Sequence, residues 1–262
     1  MRIPYYHVDA FTGELFAGNP AGVCMLSDFP ADSTMHKIAA ENRHSQTAFV
    51  VPRADGDFDL RWFTPDVEDD LCGHATLASA YVLTLRKHTA WPVRFHTRSG
   101  VLTVSREHDS FELDFPAMPP QSCETPVELL PALGLETAQV MRSRDYLVVV
   151  DGAEQVRALS PNIAALARLD IGVGGTIVTA PGEADVDYVC RFFAPAVGIA
   201  EDPATGSIHC TLAPYWAARL GKEALHGQQL SARGGRMQCK IAGDRVKIAG
   251  KARIYLQGTI DL

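Results

Sequence analysis

Residues 56–65 read GDFDLRWFTP, and residues 183–195 read EADVDYVCRFFAP. Each alternates apolar with polar side chains, the period of a strand that buries one face, and each stops at a proline. The agreement continues outward from both. Upstream, TAFVVP at 47–52 has its counterpart in TIVTAP at 176–181. Downstream, each strand reaches a glycine that opens a helix-like segment, Gly73 before HATLASAYVLTLRKH and Gly206 before SIHCTLAPYWAARLG, the second loop being three residues longer. Beyond the helices, RSGVLTVSREHDSFELDFP at 98–116 is echoed by RGGRMQCKIAGDRVKIAG at 233–250. Four matched elements in one order predict a chain built twice from one plan.

The first helix sets the architecture. Leu77, Ala78, Ala80, Tyr81, Val82, Leu83 and Leu85 make it apolar nearly all round until Arg86, Lys87 and His88 close it. Such a helix has to be covered on most sides. The economical arrangement is an α/β (α+β) fold of two pseudo-symmetric lobes, each a curved, mostly antiparallel barrel around a central helix. The proline cluster PAMPPQSCETP at 116–126 marks the boundary, giving lobes of 1–116 and 117–262 whose terminal strands could cross over. Pro214, inside the second helix pattern, predicts a kink or a late start, and Gly221 a C-cap.

Composition excludes several classes. The chain has 262 residues, 47% hydrophobic and 21% charged, which is ordinary for a globular protein with a sizeable core. A net charge of −7 without blocks argues against nucleic acid. No apolar run approaches the roughly 18 residues of a membrane span, and MRIPYYHVDAF lacks a secretory pattern, so a cytoplasmic location is expected. The cysteines Cys24, Cys72, Cys123, Cys190, Cys210 and Cys239 include no C-x-x-C pair, so no disulfide framework and no metal site is expected. All but Cys72 read as small hydrophobes.

Duplication also points to a site. Matched loop-to-helix junctions, GHAT at 73–76 and GSIH at 206–209, would offer free N–H groups and a positive dipole end to an anion. Clefts between lobes commonly take small ligands, so a small carboxylate is expected there. Its side chains would be His74 and Ser207, with Asp202 upstream; taken singly, His74 also reads as a core histidine and Asp202 as a turn residue.

The segments YYHVDAFTGELFAGNPAGV, HSQTAFVV, LRWFTPDVEDDLCGHATLASA and EDPATGSIH together resemble the phenazine biosynthesis PhzF-like family, relatives of diaminopimelate epimerase, from end to end. The resemblance implies a duplicated fold, a homodimer, no cofactor, and isomerisation of a dihydro-hydroxyanthranilate by moving a proton between carbons. It also implies site roles for Gly73, His74, Asp202 and Ser207, with Thr205 and Gly206 beside them. The chemistry calls for a base held out of water and donors to the developing charge.

One position departs from the pattern. Where the family carries a catalytic glutamate in S-E-T-x-F, this chain has Ser45-Gln46-Thr47-Ala48-Phe49. An amide takes up no proton at ordinary pH. Glu41, His44, His74 and Asp202 are the candidates to replace it, His74 and Asp202 foremost. The epimerases' cysteine pair is not available either, since Cys72 precedes Gly73 but Thr205 precedes Gly206. Two readings follow: a proton-transfer isomerase in which Gln46 orients substrate, or a non-catalytic small-molecule binder. A scaffold role has no support beyond the acidic composition.

Overall fold

The strand β1 (Arg2–Ala10) and its neighbour β2 (Asn19–Met25) place Val8, Ala10, Ala21, Val23 and Cys24 out of solvent. After helix α1 (Asp32–Asn42) the chain returns as β3 (Gln46–Pro52), parallel to β2, and then as the antiparallel β4 (Phe58–Phe63). A two-residue strand β5 (Glu68–Asp69) folds back on β4, and helix α2 (Gly73–Leu85) follows. Then come β6 (Val93–Thr97), parallel to β4, and the antiparallel β7 (Gly100–Glu107) and β8 (Ser110–Pro116). These coordinates are a computed structural model that describes residues 1–88, 90–169 and 174–262.

The second half repeats the plan. It contains β9 (Gln121–Ser122), α3 (Leu129–Leu133), β10 (Gln139–Arg142), β11 (Tyr146–Val149), α4 (Ala153–Ala158) and α5 (Ile163–Leu166). There follow β12 (Thr176–Pro181), β13 (Tyr188–Phe193), α6 (His209–Leu220), β14 (Ala224–Gln229), β15 (Gly235–Ala242) and β16 (Arg245–Asp261). From β11 to β15 the pairings run parallel, antiparallel, parallel, antiparallel, the order found from β2 to β7. The parallel pairs qualify the antiparallel expectation. A helix between two strands carries the chain back to the starting end, and only a parallel partner can then form.

The chain packs as two units, Met1–Phe115 with Ile248–Leu262, and Pro116–Lys247. The break falls at the proline cluster. The last part of β16 pairs with β1, from Arg2↔Asp261 to Ala10↔Ala252, so those residues belong to the first unit. With β16 beside β8 as well, the first unit's sheet closes into a barrel. Inside it, α2 is buried on every face from Gly73 through Ala80. Gly250 is required where β16 passes that core, because a Cβ there would come within 2.5 Å of the Phe11 ring. On the other face of the sheet, Met35, Ile38 and Ala39 of α1 pack with Phe49, Val51 and Phe63.

α6 differs from the expected helix at its start. It begins at His209, and Gly206 to Ile208 form a turn in which His209 N–H donates to Gly206 C=O at 3.1 Å. Pro214 lies inside the helix and lacks the N–H that would bond Cys210 C=O; that carbonyl accepts from Met118 N–H at 2.8 Å instead. Gly221 is the C-cap, at φ 65°. Among the described residues no helix is long and apolar enough to cross a membrane.

Candidate functional site

In the first unit, Gln46, Gly73 and His74 come together through two chain segments. Gln46 is the first residue of β3, pinned beside Ala21 of β2, and its side chain is buried. The chain arrives there through Arg43, whose left-handed φ of 54° ends α1. His74 is the second residue of α2 and 4% exposed. Burial lowers its pKa to about 4, so the ring is neutral at pH 7. Its Nδ1 lies 3.5 Å from Cys72 Sγ.

The sequence reading passed over the residue that joins them. Gln46 Nε2 donates to Asp69 Oδ2 at 3.0 Å, and Leu71 N–H donates to Asp69 Oδ1 at 3.3 Å. Asp69 is also the charge that acts on His74, opposing the effect of burial. Because an amide facing a carboxylate must present its NH₂, Gln46 Oε1 points away. That oxygen and His74 Nε2 are both buried without a hydrogen-bond partner.

Asp69 is held from behind. The turn after β4 is closed by Thr64, whose Oγ1 accepts from Val67 N–H at 2.9 Å. Arg61 then grips Glu68 with two parallel bonds of 2.7 Å, and Arg98 adds a third at 2.7 Å. Such a fork fixes direction as well as distance.

In the second unit, Asp202, Thr205, Gly206 and Ser207 occupy the corresponding loop. Asp202 is buried, and its carboxylate accepts from the Thr205 hydroxyl. Gln229, fully buried on β14, ties the loop together: its Oε1 accepts from Thr205 N–H at 2.8 Å and its Nε2 donates to Asp202 C=O at 2.5 Å. Ser207 is half-buried in the turn before α6. The fork recurs, with Arg191 Nε and Nη2 donating to Glu201 at 2.7 and 2.8 Å immediately before Asp202. Gln229 had no signal in the sequence, since nothing in ALHGQQ tells which polar residue turns inward. Asp69 had one. Glu201-Asp202 and Glu68-Asp69 stand at equal distances before Gly206 and Gly73.

The other base candidates lie elsewhere. Glu41 is exposed in the last turn of α1, and His44 bonds the Tyr5 hydroxyl at 3.0 Å. A half-open hollow of about 370 Å³ in the second unit, bordered by Gln139, Asp151 and Trp216, takes in none of the predicted residues. Among the described residues the group spaced to hold a metal ion is Asp55, Asp57 and His96; Asp57 already accepts from Arg94 Nε at 3.0 Å.

The model of the phenazine biosynthesis-like family (PhzC-PhzF) matches residues 8–258. An uncharacterized isomerase of Pseudomonas aeruginosa is 52% identical over the full length of both chains. A crystal structure of a phenazine biosynthesis PhzF-family protein from Enterococcus faecalis superimposes with a TM-score of 0.95 at 42% identity, covering all of both chains. The fold alone extends further, to a hydroxyproline epimerase of Agrobacterium vitis at 13% identity and a TM-score of 0.62, over 99% of this chain and 92% of that one.

Proposed function

That the chain belongs to the phenazine biosynthesis-like family is the premise from which we propose its reaction, the movement of a proton from one carbon to another within a small carboxylate. Its broad class is isomerase, as in its relatives. The observation that carries the finer reading is the pair of orphaned polar atoms, Gln46 Oε1 and His74 Nε2. Leaving such an atom buried and unbonded costs about 1–3 kcal/mol. Two of them beside one carboxylate are accounted for by a polar ligand that completes their bonds.

The chemistry follows from their states. His74 is neutral, and in the tautomer that accepts the Cys72 thiol at Nδ1 its proton sits on Nε2, where it can donate to negative charge developing on a substrate without itself ionising. Gln46 accepts from an amino or hydroxyl group and so orients the substrate. Asp202, supported by Thr205 and Gln229 and next to Gly206 and Ser207, is the candidate set of the second unit.

The test is solvent-deuterium incorporation, read by mass spectrometry, into a dihydro-hydroxyanthranilate and a panel of small unsaturated and amino carboxylates. The wild type incorporates deuterium into at least one of them. His74→Ala slows exchange by about 10²-fold or more, the scale of a positioned proton-transfer partner. Thermal stabilisation by a panel member with no exchange would replace this reading with that of a binder.

A further inference from the structure

We propose that Asp69 is the catalytic base of the first unit, a carboxylate displaced by one side chain from position 46. The inference rests on the isomerase reading above and adds the atom that takes the proton. Gln46 cannot do so, and its amide is instead committed as a donor to Asp69 Oδ2 at 3.0 Å. That bond does two things. It holds the carboxylate beside the Gln46 amide, and it turns the NH₂ of that amide toward Asp69, leaving Oε1 open as an acceptor. The carboxylate is only half-buried, whereas the Gln46 and His74 side chains beside it are buried.

The duplication gives an independent argument. Arg61–Glu68 and Arg191–Glu201 are the same two-bond fork on matching strands β4 and β13, and each glutamate is followed at once by an aspartate. The extra three residues of the second loop fall before Glu201, leaving the five-residue spacing from glutamate to glycine unchanged. Two halves of one chain, differing in loop length and in sequence, thus share one device, a clamped glutamate followed at once by an aspartate shortly before a helix. Asp69 is to the first unit what Asp202 is to the second.

In the step, a lone pair on an Asp69 oxygen takes the proton from an acidic carbon of the substrate. The C–H electron pair moves into the adjoining unsaturated system, whose charge the His74 N–H receives. Asp69 then returns the proton to a different carbon. Nothing is oxidised, reduced or lost, and no co-reactant enters.

The same exchange assay tests this, with the same probes. Asp69→Asn keeps the shape and an acceptor for Gln46 but not the basicity. Its kcat for exchange is expected to fall by about 10² to 10⁴, with KM within about threefold. Asp69→Ala is expected to recover at least about tenfold on adding formate, which does nothing for the wild type, a response that a merely structural role cannot give. Asp69→Glu keeps a measurable fraction of the wild-type rate. Exchange by Asp69→Asn at the wild-type rate, or a loss confined to KM, overturns the assignment while leaving the isomerase reading in place. No exchange by the wild type with any probe overturns both.

Discussion

Removing Arg191 should cost more than removing Arg61, although the two forks look alike. Take Arg191→Met and Arg61→Met, which keep an apolar stem against Phe193 and Phe63. Arg61 leaves behind a glutamate that is still held by Arg98 at 2.7 Å. Arg191 leaves Glu201 with no second cation among the described residues, and it also gives Leu159 C=O a bond of 2.7 Å and Val156 C=O one of 3.3 Å, at the end of α4. Breaking a fully buried pair costs about 3–5 kcal/mol. With both carboxylates partly wet, Glu68 at 12% and Glu201 at 24% side-chain exposure, the expected losses are about 1–2 kcal/mol for Arg61→Met and about 3 kcal/mol for Arg191→Met. Hydrogen-exchange mass spectrometry on peptides 58–72 and 188–206 reads each loop separately, which a single melting curve for two units does not. Equal losses, or a larger one at Arg61, would refute the reasoning that the number of satisfied partners left behind sets the cost.

Acid should destabilise the second unit through His209. Its pKa is lowered from 6.5 to about 3 by burial, so below pH 6.5 the unfolded chain takes up a proton that the folded one refuses. Stability is therefore complete above pH 6.5 and falls by up to about 1.4 kcal/mol for each unit of pH below it, until about pH 3. Urea titrations at pH 7 and 5 should show His209→Gln losing less than the wild type between them, and an equal loss would refute this. Thiol reagents should label Cys123 first in the native protein, because it alone among the cysteines is not buried; burial pushes the thiols of Cys24, Cys210 and Cys239 up to about 12. Rapid native labelling of Cys239 would contradict that. Gly250→Ala should destabilise the first unit by more than about 1 kcal/mol, since its Cβ would lie 2.5 Å from the Phe11 ring, and an unchanged melting temperature would count against that contact.

What the residues disclosed depended on whether the deciding contact was local. The all-round apolar pattern of 74–85 needed no knowledge of the rest of the chain, and that helix is where the pattern put it. Gly221 was equally legible, because a left-handed cap is a property of one residue. The start of α6 was not. Gly206 resembles Gly73 in sequence, but here the chain makes a turn first and only then a helix. The return of residues 248–262 to the first unit was invisible in the same way, since an alternating strand does not name its partner. At the site, Gln46 was singled out by the resemblance of its own short segment, Ser45-Gln46-Thr47-Ala48-Phe49, which is again local. Asp69 sits in a run, Glu68-Asp69-Asp70, where charge alone gives no direction; Arg61 supplies it by seizing Glu68 and turning the next carboxyl toward Gln46.

The strand that closes the first barrel is encoded after the whole of the second unit. During synthesis the second unit can complete its sheet as it emerges, whereas β1 must wait with its outer edge unpaired until residues 252–261 follow. The unit that starts first therefore finishes last, and the interval is the period in which an exposed strand edge is open to wrong partners. A chain ended after residue 247 and released would hold a folded second unit and an unfinished first one, and a free peptide of sequence 248–262 is the segment expected to complete it.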